Sequence, residues 1–258
     1  MATNTVFNNK IIEAKAKDLL LTSVNTRNLM TADTSLTSEA GMTKTINVYT
    51  YTGEAEELGV GEGNTNRGSI SYVGTDYTVK MVQQAFDYKD EDFMKDNTIV
   101  DNMIKGANQI MVNKMTSDFL TECAKASVSH SDDAFGYETI VDAIAKLSFE
   151  DESKLFVLIP TSWKADLRKD PDYKAARMGE VVYNGQVGTI CGIPVIASNA
   201  LNDVAYVMTN EAIKLFMKKD VEVEQERDAD TRNNAVYLRM CYICALADAT
   251  KICKVTVA

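Results

Sequence analysis

TKTINVYTYT (43–52) and ISYVGTDYTVKMV (70–82) both alternate in the manner of β-strands, and between them lies GEAEELGVGEGNTNRGS (53–69). This connector holds Gly53, Gly59, Gly61, Gly63 and Gly68, four glutamates, and almost no apolar residue besides Leu58 and Val60. The pattern predicts one long hairpin over 43–82 with a glycine-rich, acidic tip. An isolated two-stranded ribbon is marginal in water. Something outside the subunit must therefore hold it, most simply another copy of the same chain. That points to an assembly protein rather than an enzyme.

Around the hairpin the remaining elements are mixed. A polar N-terminal region, 1–42, carries a short helical candidate at 9–21 with Ile12, Ala16 and Leu19 or Leu20 on one face. The segment after it, TSVNTRNLMTADTSLTSEAGM, reads as an extended arm that needs an external surface. Beyond the hairpin, 83–96 is mixed and highly charged. The strongest helix follows at 98–125, with Val100, Ile104, Ala107, Met111, Met115, Phe119 and Cys123 recurring every three or four residues and Asp96 or Asn97 as N-cap. At 1.5 Å per residue it runs roughly 40 Å, the length of a spine.

After a loop at 128–134, a second helix is expected at 137–147 and a buried strand at 155–159. A helix then starts near Thr161 or Ser162, with Trp163 and Leu167 inward, and ends before Pro171. Residues 170–186 read as loop, 187–197 as strand, 205–208 as a buried strand and 210–216 as a short helix. Val221, Val223 and Gln225 alternate, ERDADTRNN turns, and 235–257 returns as a long apolar segment pairing back against 220–226. Helices and strands intermix without a regular βαβ repeat, which gives an α+β fold class.

Composition bounds the function. The 258 residues have an ordinary 45% hydrophobic content, so the chain is globular. A net charge of −10 argues against a protein that grips nucleic acid through clustered Lys and Arg. The longest apolar runs, such as 155–160, fall far short of the roughly 20 residues of a membrane span, so no membrane partner is expected. The start lacks the features of a secretory signal. Five cysteines, an odd count, fit a reduced cytosolic state.

Motifs for chemistry fail on physical grounds. His130 is the only histidine and reads as a solvated loop residue near Asp132 and Asp133, with no nucleophile at recognisable spacing. Cys241 and Cys244 lie three apart in a strand-like run, so their thiols point to opposite faces and cannot chelate one ion. Gly59, Gly61 and Gly63 have no following helix to bind phosphate and are ringed by glutamates. Asp228-x-Asp230-x-Arg232 begins like a calcium loop, but Arg232 replaces a ligand. No cofactor, metal or catalytic residue is assigned. Asp90, Glu91 and Asp92 read as a solvated face or, alternatively, as partners for a basic patch on another subunit. Tyr49, Tyr51, Tyr72 and Tyr77 read either as ordinary β-surface residues or as interface anchors.

The order of these elements resembles the plan of tailed-bacteriophage major capsid proteins with the Hong Kong 97-like fold: an N-arm, an extended E-loop hairpin, a long spine helix, and peripheral (P) and axial (A) domains. GTICGIPVIAS (188–198) resembles a segment that recurs in the axial domain of that family. TKTINVYTYTGEAEELGVGEG resembles the start of the E-loop, and AVYLRMCYICALADATKICKVTV the terminal P-domain strands.

The resemblance implies an N-arm at 1–42, an E-loop at 43–82, a P domain with its spine helix at 83–136, an A domain at 137–212 and a return to P-domain strands at 213–258. It implies self-assembly into pentamers and hexamers and then an icosahedral shell around packaged double-stranded DNA, bound without sequence specificity. The shell forms in the host bacterial cytoplasm with a portal and a separate scaffolding protein. The latter expectation rests on the short stretch before the hairpin, which leaves no room for a scaffolding segment of roughly a hundred residues. Tyr49, Tyr51, Glu54, Glu56, Glu57, Glu62, Arg67 and Tyr72 are the residues expected at the subunit interface. Some family members cross-link an E-loop lysine to a neighbour's asparagine. Residues 52–79 contain no lysine, so a non-covalent shell is expected. A bacterial encapsulin shell of the same fold is the nearest alternative reading, and a soluble enzyme the more distant one.

Overall fold

A computed structural model describes residues 27–38, 41–96, 98–176 and 188–257. The helix expected at 9–21 lies outside the described residues. Two sheets and a projecting ribbon organise the chain. The ribbon pairs β2 (Thr43–Thr52) with β3 (Ser69–Thr78). The first sheet has the order β1 (Thr31–Asp33), β10 (Ile213–Asp228), β11 (Asn233–Leu246), β4 (Lys80–Lys89). The second has six strands in the order β5 (Val128–Asp132), β12 (Ile252–Val257), β9 (Val204–Thr209), β6 (Leu155–Pro160), β8 (Ile193–Ser198), β7 (Thr189–Ile190). The helices are α1 (Asp90–Lys95), α2 (Ile99–Cys123), α3 (Tyr137–Leu147), α4 (Lys164–Lys169) and α5 (Pro171–Ala176).

The spine helix, α2, buries the whole expected stripe from Val100 to Cys123 against the first sheet and one face of the second. Asp96 serves its N-terminus by accepting the Thr98 N–H at 2.8 Å. LFVLIP in β6 is apolar throughout because both its faces are covered. Phe156 and Leu158 join the spine-helix core, while Leu155, Val157 and Ile159 join a second core under α3, with Trp163 and Leu167. Asp170 caps two helices, accepting the Tyr137 N–H at 2.7 Å and the Asp172 N–H at 2.9 Å. The first of these bonds leads in holding its carboxyl below the usual range.

Several expectations are corrected. The second hairpin arm ends at Thr78, not at residue 82, and Lys80 begins a new strand that pairs with β11. The charged stretch 83–96 is the rest of that strand followed by α1. VSHSD is not a loop but edge strand β5, paired in parallel with β12 from Cys253 to Val257. EAIKLF is not a helix. Its apolar residues satisfy either period, and pairing of Ile213–Asp228 with β11 selects the strand. The segment 235–257 is two strands in different sheets, broken where Asp248 accepts the Thr250 N–H at 2.9 Å. Within 170–186, Pro171–Ala176 is helical. Residues 29–36 need no external surface: β1 pairs with Lys214–Phe216, and Leu29, Met30 and Leu36 are buried in their own subunit.

Candidate functional site

The register of the ribbon sorts its side chains onto two faces. Tyr49 stands opposite Tyr72, and Tyr51 opposite Ile70. Strand alternation puts all four on one face. They form a continuous apolar patch, 62%, 70%, 67% and 67% exposed for Tyr49, Tyr51, Ile70 and Tyr72. The Tyr49 and Tyr72 rings sit 5.8 Å apart, a tilted aromatic pair. The reverse face at the same height is Thr50, Thr52, Ser69 and Ser71. Over this outer stretch one face is therefore built to lose water and the other to keep it; nearer the body the reverse face carries Val48 opposite Val73, both also exposed. Ile70 was missed among the site residues, although counting both arms outward from the tip pairs it with Tyr51.

At the tip, two of the four glutamates organise the loop itself. Glu56 accepts the Thr65 N–H at 2.8 Å, the Asn66 N–H at 3.0 Å and the Thr65 hydroxyl at 2.9 Å. These bonds, that from Asn66 foremost, hold its carboxyl below the usual range. Glu62 accepts the Gly59 N–H at 3.0 Å across a turn in which Gly61 takes a φ of 88°. Glu54, Glu57 and Arg67 are exposed. At the neck of the loop, a Cβ on Gly53 would lie 2.7 Å from the Gly68 Cα. The strand ends approach this closely because residue 53 is glycine, while a Cβ on Gly68 would instead run into the Tyr51 ring.

The ribbon enters the body through a third, small core. Val79 is buried there with Leu36, Phe216, Cys241, Ile243 and Ala245, and Ile46 and Tyr77 pack against it. The Val79 N–H donates to the Met42 carbonyl at 2.7 Å. Tyr77 thus separates from the other hairpin tyrosines. Its hydroxyl donates to Glu122 at 3.3 Å and accepts the Leu246 N–H at 3.3 Å. Burial is the first cause that pushes its phenol up. Lys80, just beyond, reaches Asp118 at 3.1 Å.

Elsewhere the candidate chemistry dissolves into structure. Cys241 lies in the third core and Cys244 in the first, on opposite faces of β11 as their spacing predicts. Burial pushes the Cys244 thiol up to about 12. His130 is not a loop residue. It pairs with Val255 and is half-buried, and its ring nitrogens are shielded from solvent with no hydrogen-bond partner among the described residues. Asp228 closes a polar turn by accepting the Asp230 N–H and the Thr231 hydroxyl. The acidic run at 90–92 is not a bare solvated face but pairs within its own subunit. Asp90 pairs with Arg227 at 2.8 Å and Asn234 at 2.7 Å, Glu91 with Arg232 at 2.9 Å, and Asp92 with Lys95 at 3.4 Å. Among the described residues no group of three or more His, Cys, Asp or Glu side chains is arranged to hold a metal ion.

A body of two sheets around a spine helix, with a two-faced ribbon projecting from it, is the Hong Kong 97-like capsid fold. The family profile described as "Phage capsid protein" matches residues 72–255. The chain belongs to the phage capsid protein family. It is 23% identical over 230 residues to a major capsid protein of Staphylococcus phage phiMR11, covering 87% of this chain and 84% of that one. Its fold is similar to the capsid structure of cyanophage P-SCSP1u (TM-score 0.73, 10% identity, 92% of this chain and 88% of that chain). It is also similar to a virus-like particle from Pyrococcus furiosus (TM-score 0.66, 10% identity, 95% and 98% covered). The chain is a structural protein of the virion capsid, and proteins of this family assemble into multimeric shells.

Proposed function

We propose that copies of this chain form pentamers and hexamers that close into an icosahedral head around the double-stranded DNA of a tailed phage, each hairpin lying across the next subunit. The observation that carries this reading is the exposed face of Tyr49, Tyr51, Ile70 and Tyr72, which nothing among the described residues covers. Exposed apolar patches of this kind mark interaction sites. A head-to-tail contact needs a second, different surface on the same chain. Outside the hairpin and its root, the large exposed hydrophobics among the described residues are Met81, Met94 and Ile110. All three lie on β4, α1 and α2, and they mark the receiving surface. Glu54, Glu57 and Arg67 add polar contacts at the rim, while Glu56 and Glu62 act by shaping the tip.

On this reading the E-loop is the ribbon rooted at Val79. The P domain is the spine helix with the four-stranded sheet, and the A domain is the six-stranded sheet, to which β5 and β12 then belong. The clasp is non-covalent: Lys80, the first lysine after the tip, is engaged by Asp118. Assembly takes place in the host cytoplasm with a scaffolding protein and a portal as partners. A net charge of −10 supports a lining that does not grip the genome.

Purified particles test the proposal. Electron microscopy should show closed icosahedral heads, and nuclease-protected DNA should be recovered from those filled in the host. Denaturing gels should show single subunits. Shells filled with an enzyme would favour a compartment, a cross-linked ladder would refute the non-covalent clasp, and a persistent monomer would refute assembly.

A further inference from the structure

The hairpin is a lever with a short root. Its ten paired positions span about 33 Å at 3.3 Å per residue. Beyond Ile46 and Tyr77 its large side chains are exposed. A rotation of about ten degrees at the root would therefore carry the tip about 6 Å over that length. Such a displacement would take Tyr51 and Ile70 off any shaped receiving surface. The small core around Val79 fixes where the ribbon enters. A single plug does not fix its direction, which needs contacts to the side of the pivot.

Two contacts that end on the spine helix flank Val79, from Tyr77 on the ribbon side and from Lys80 on the body side where β4 joins β11; the Tyr77 hydroxyl also accepts the Leu246 N–H from β11. Tyr77, two residues before it, donates to Glu122. Lys80, one residue after it, donates to Asp118 at 3.1 Å. Asp118 and Glu122 are four apart in α2, so they present on one helix face. Each carboxylate is itself held. Asp118, with its side chain 8% exposed, also takes Lys114 at 3.0 Å and the Tyr242 hydroxyl at 2.9 Å. Glu122 takes Lys125 at 2.7 Å, and that ammonium lies 5.6 Å over the Tyr77 ring.

We propose that Asp118 and Glu122 are positioning residues that latch the hairpin to the spine helix. They fix its direction before a neighbour is met, so that moving either element re-aims the other. The role of this device in assembly rests on reading the hairpin as the inter-subunit clasp. The latch itself is a property of the single chain.

Distance distributions between two spin labels on the unassembled full-length chain test it. The labels go on Ser71→Cys in the hairpin and Lys105→Cys on the exposed side of the spine helix, with the exposed Cys191 replaced by serine. The parent should give one narrow distribution. Tyr77→Phe combined with Lys80→Met removes both contacts, and with them the Leu246 N–H bond to Tyr77, while keeping side-chain bulk, and should give a distribution about twice as wide. Lys80→Arg on the parent should keep it narrow, because the charged contact survives. Near-ultraviolet circular dichroism checks that the double variant stays folded. Asp118→Asn with Glu122→Gln should broaden the same distribution from the helix side. An unchanged width in folded Tyr77→Phe/Lys80→Met would overturn the latch, as would equal broadening by Lys80→Arg. The clasp reading is judged separately, by whether shells form.

Discussion

Asp118 and Asn108 sit ten residues apart on the spine helix, and both are almost wholly buried. They have opposite fortunes. Burial pushes the Asp118 carboxyl up, and hydrogen bonds from Lys114, Tyr242 and Lys80 more than reverse that push, leaving it below the usual value. A carboxyl depressed in the folded state adds stability that is complete above its unfolded value, about 3.9. That stability is lost as pH falls through the lower, folded value. Asp118→Asn should cost about 2 kcal/mol at neutral pH, as expected for buried bonds to a charged group. It should also flatten the acid limb of a stability-against-pH curve from urea titrations. Asn108 has neither amide atom bonded among the described residues. Asn108→Leu removes an unmatched polar group, and its urea midpoint should rise by the equivalent of about 1 kcal/mol. Neither role is legible in the sequence, where both are polar letters beside an apolar stripe. Besides Lys114 on the same helix, the partners of Asp118 come from β4 and β11, 38 residues before it and 124 after it.

Among the elements, the hairpin is the one whose sequence carries its own description. Alternation, tip glycines and lack of a core are all local, so its existence, faces and exposure follow from 43–78 alone. Its lower boundary does not. Thr78 and Lys80 differ in which strand they pair with, and that is decided by β11, more than 150 residues away. The same cause explains the other failures. VSHSD becomes an edge strand because β12 offers it a ladder. EAIKLF becomes extended because β11 does the same. Elements whose burial is periodic within themselves, such as α2 and α3, were readable. Elements defined by a distant partner were not. At the tip, the staple by Glu56 predicts a local effect. Glu56→Ala should remove hydrogen-exchange protection from the Thr65 and Asn66 amides and leave protection in the spine helix unchanged. Gly53→Val should push the strand ends apart at Gly68 and be read as loss of the Tyr51–Ile70 pairing in the same experiment.

At the scale of the whole molecule, three cores among the described residues divide the labour. The first ties the spine helix to both sheets, the second closes the six-stranded sheet under α3, and the third is a socket for the hairpin. Among the described residues, the large exposed hydrophobics lie on the ribbon and its root and, apart from it, at Met81, Met94 and Ile110 on β4, α1 and α2. Tyr72→Ala and Ile110→Asp act on opposite sides of that proposed contact. Each should weaken subunit association by about 2 kcal/mol, the scale of an interface hot spot, or roughly 30-fold, without lowering the stability of the isolated subunit. Sedimentation against subunit concentration reads both. The most direct measurement is a cryo-electron-microscopy reconstruction of assembled particles at side-chain resolution. The account predicts Tyr49, Tyr51, Ile70 and Tyr72 seated on the next subunit near Met94 and Ile110, with no covalent density joining the chains. A shell in which that face points to solvent, with the hairpin crossing no neighbour, would contradict it.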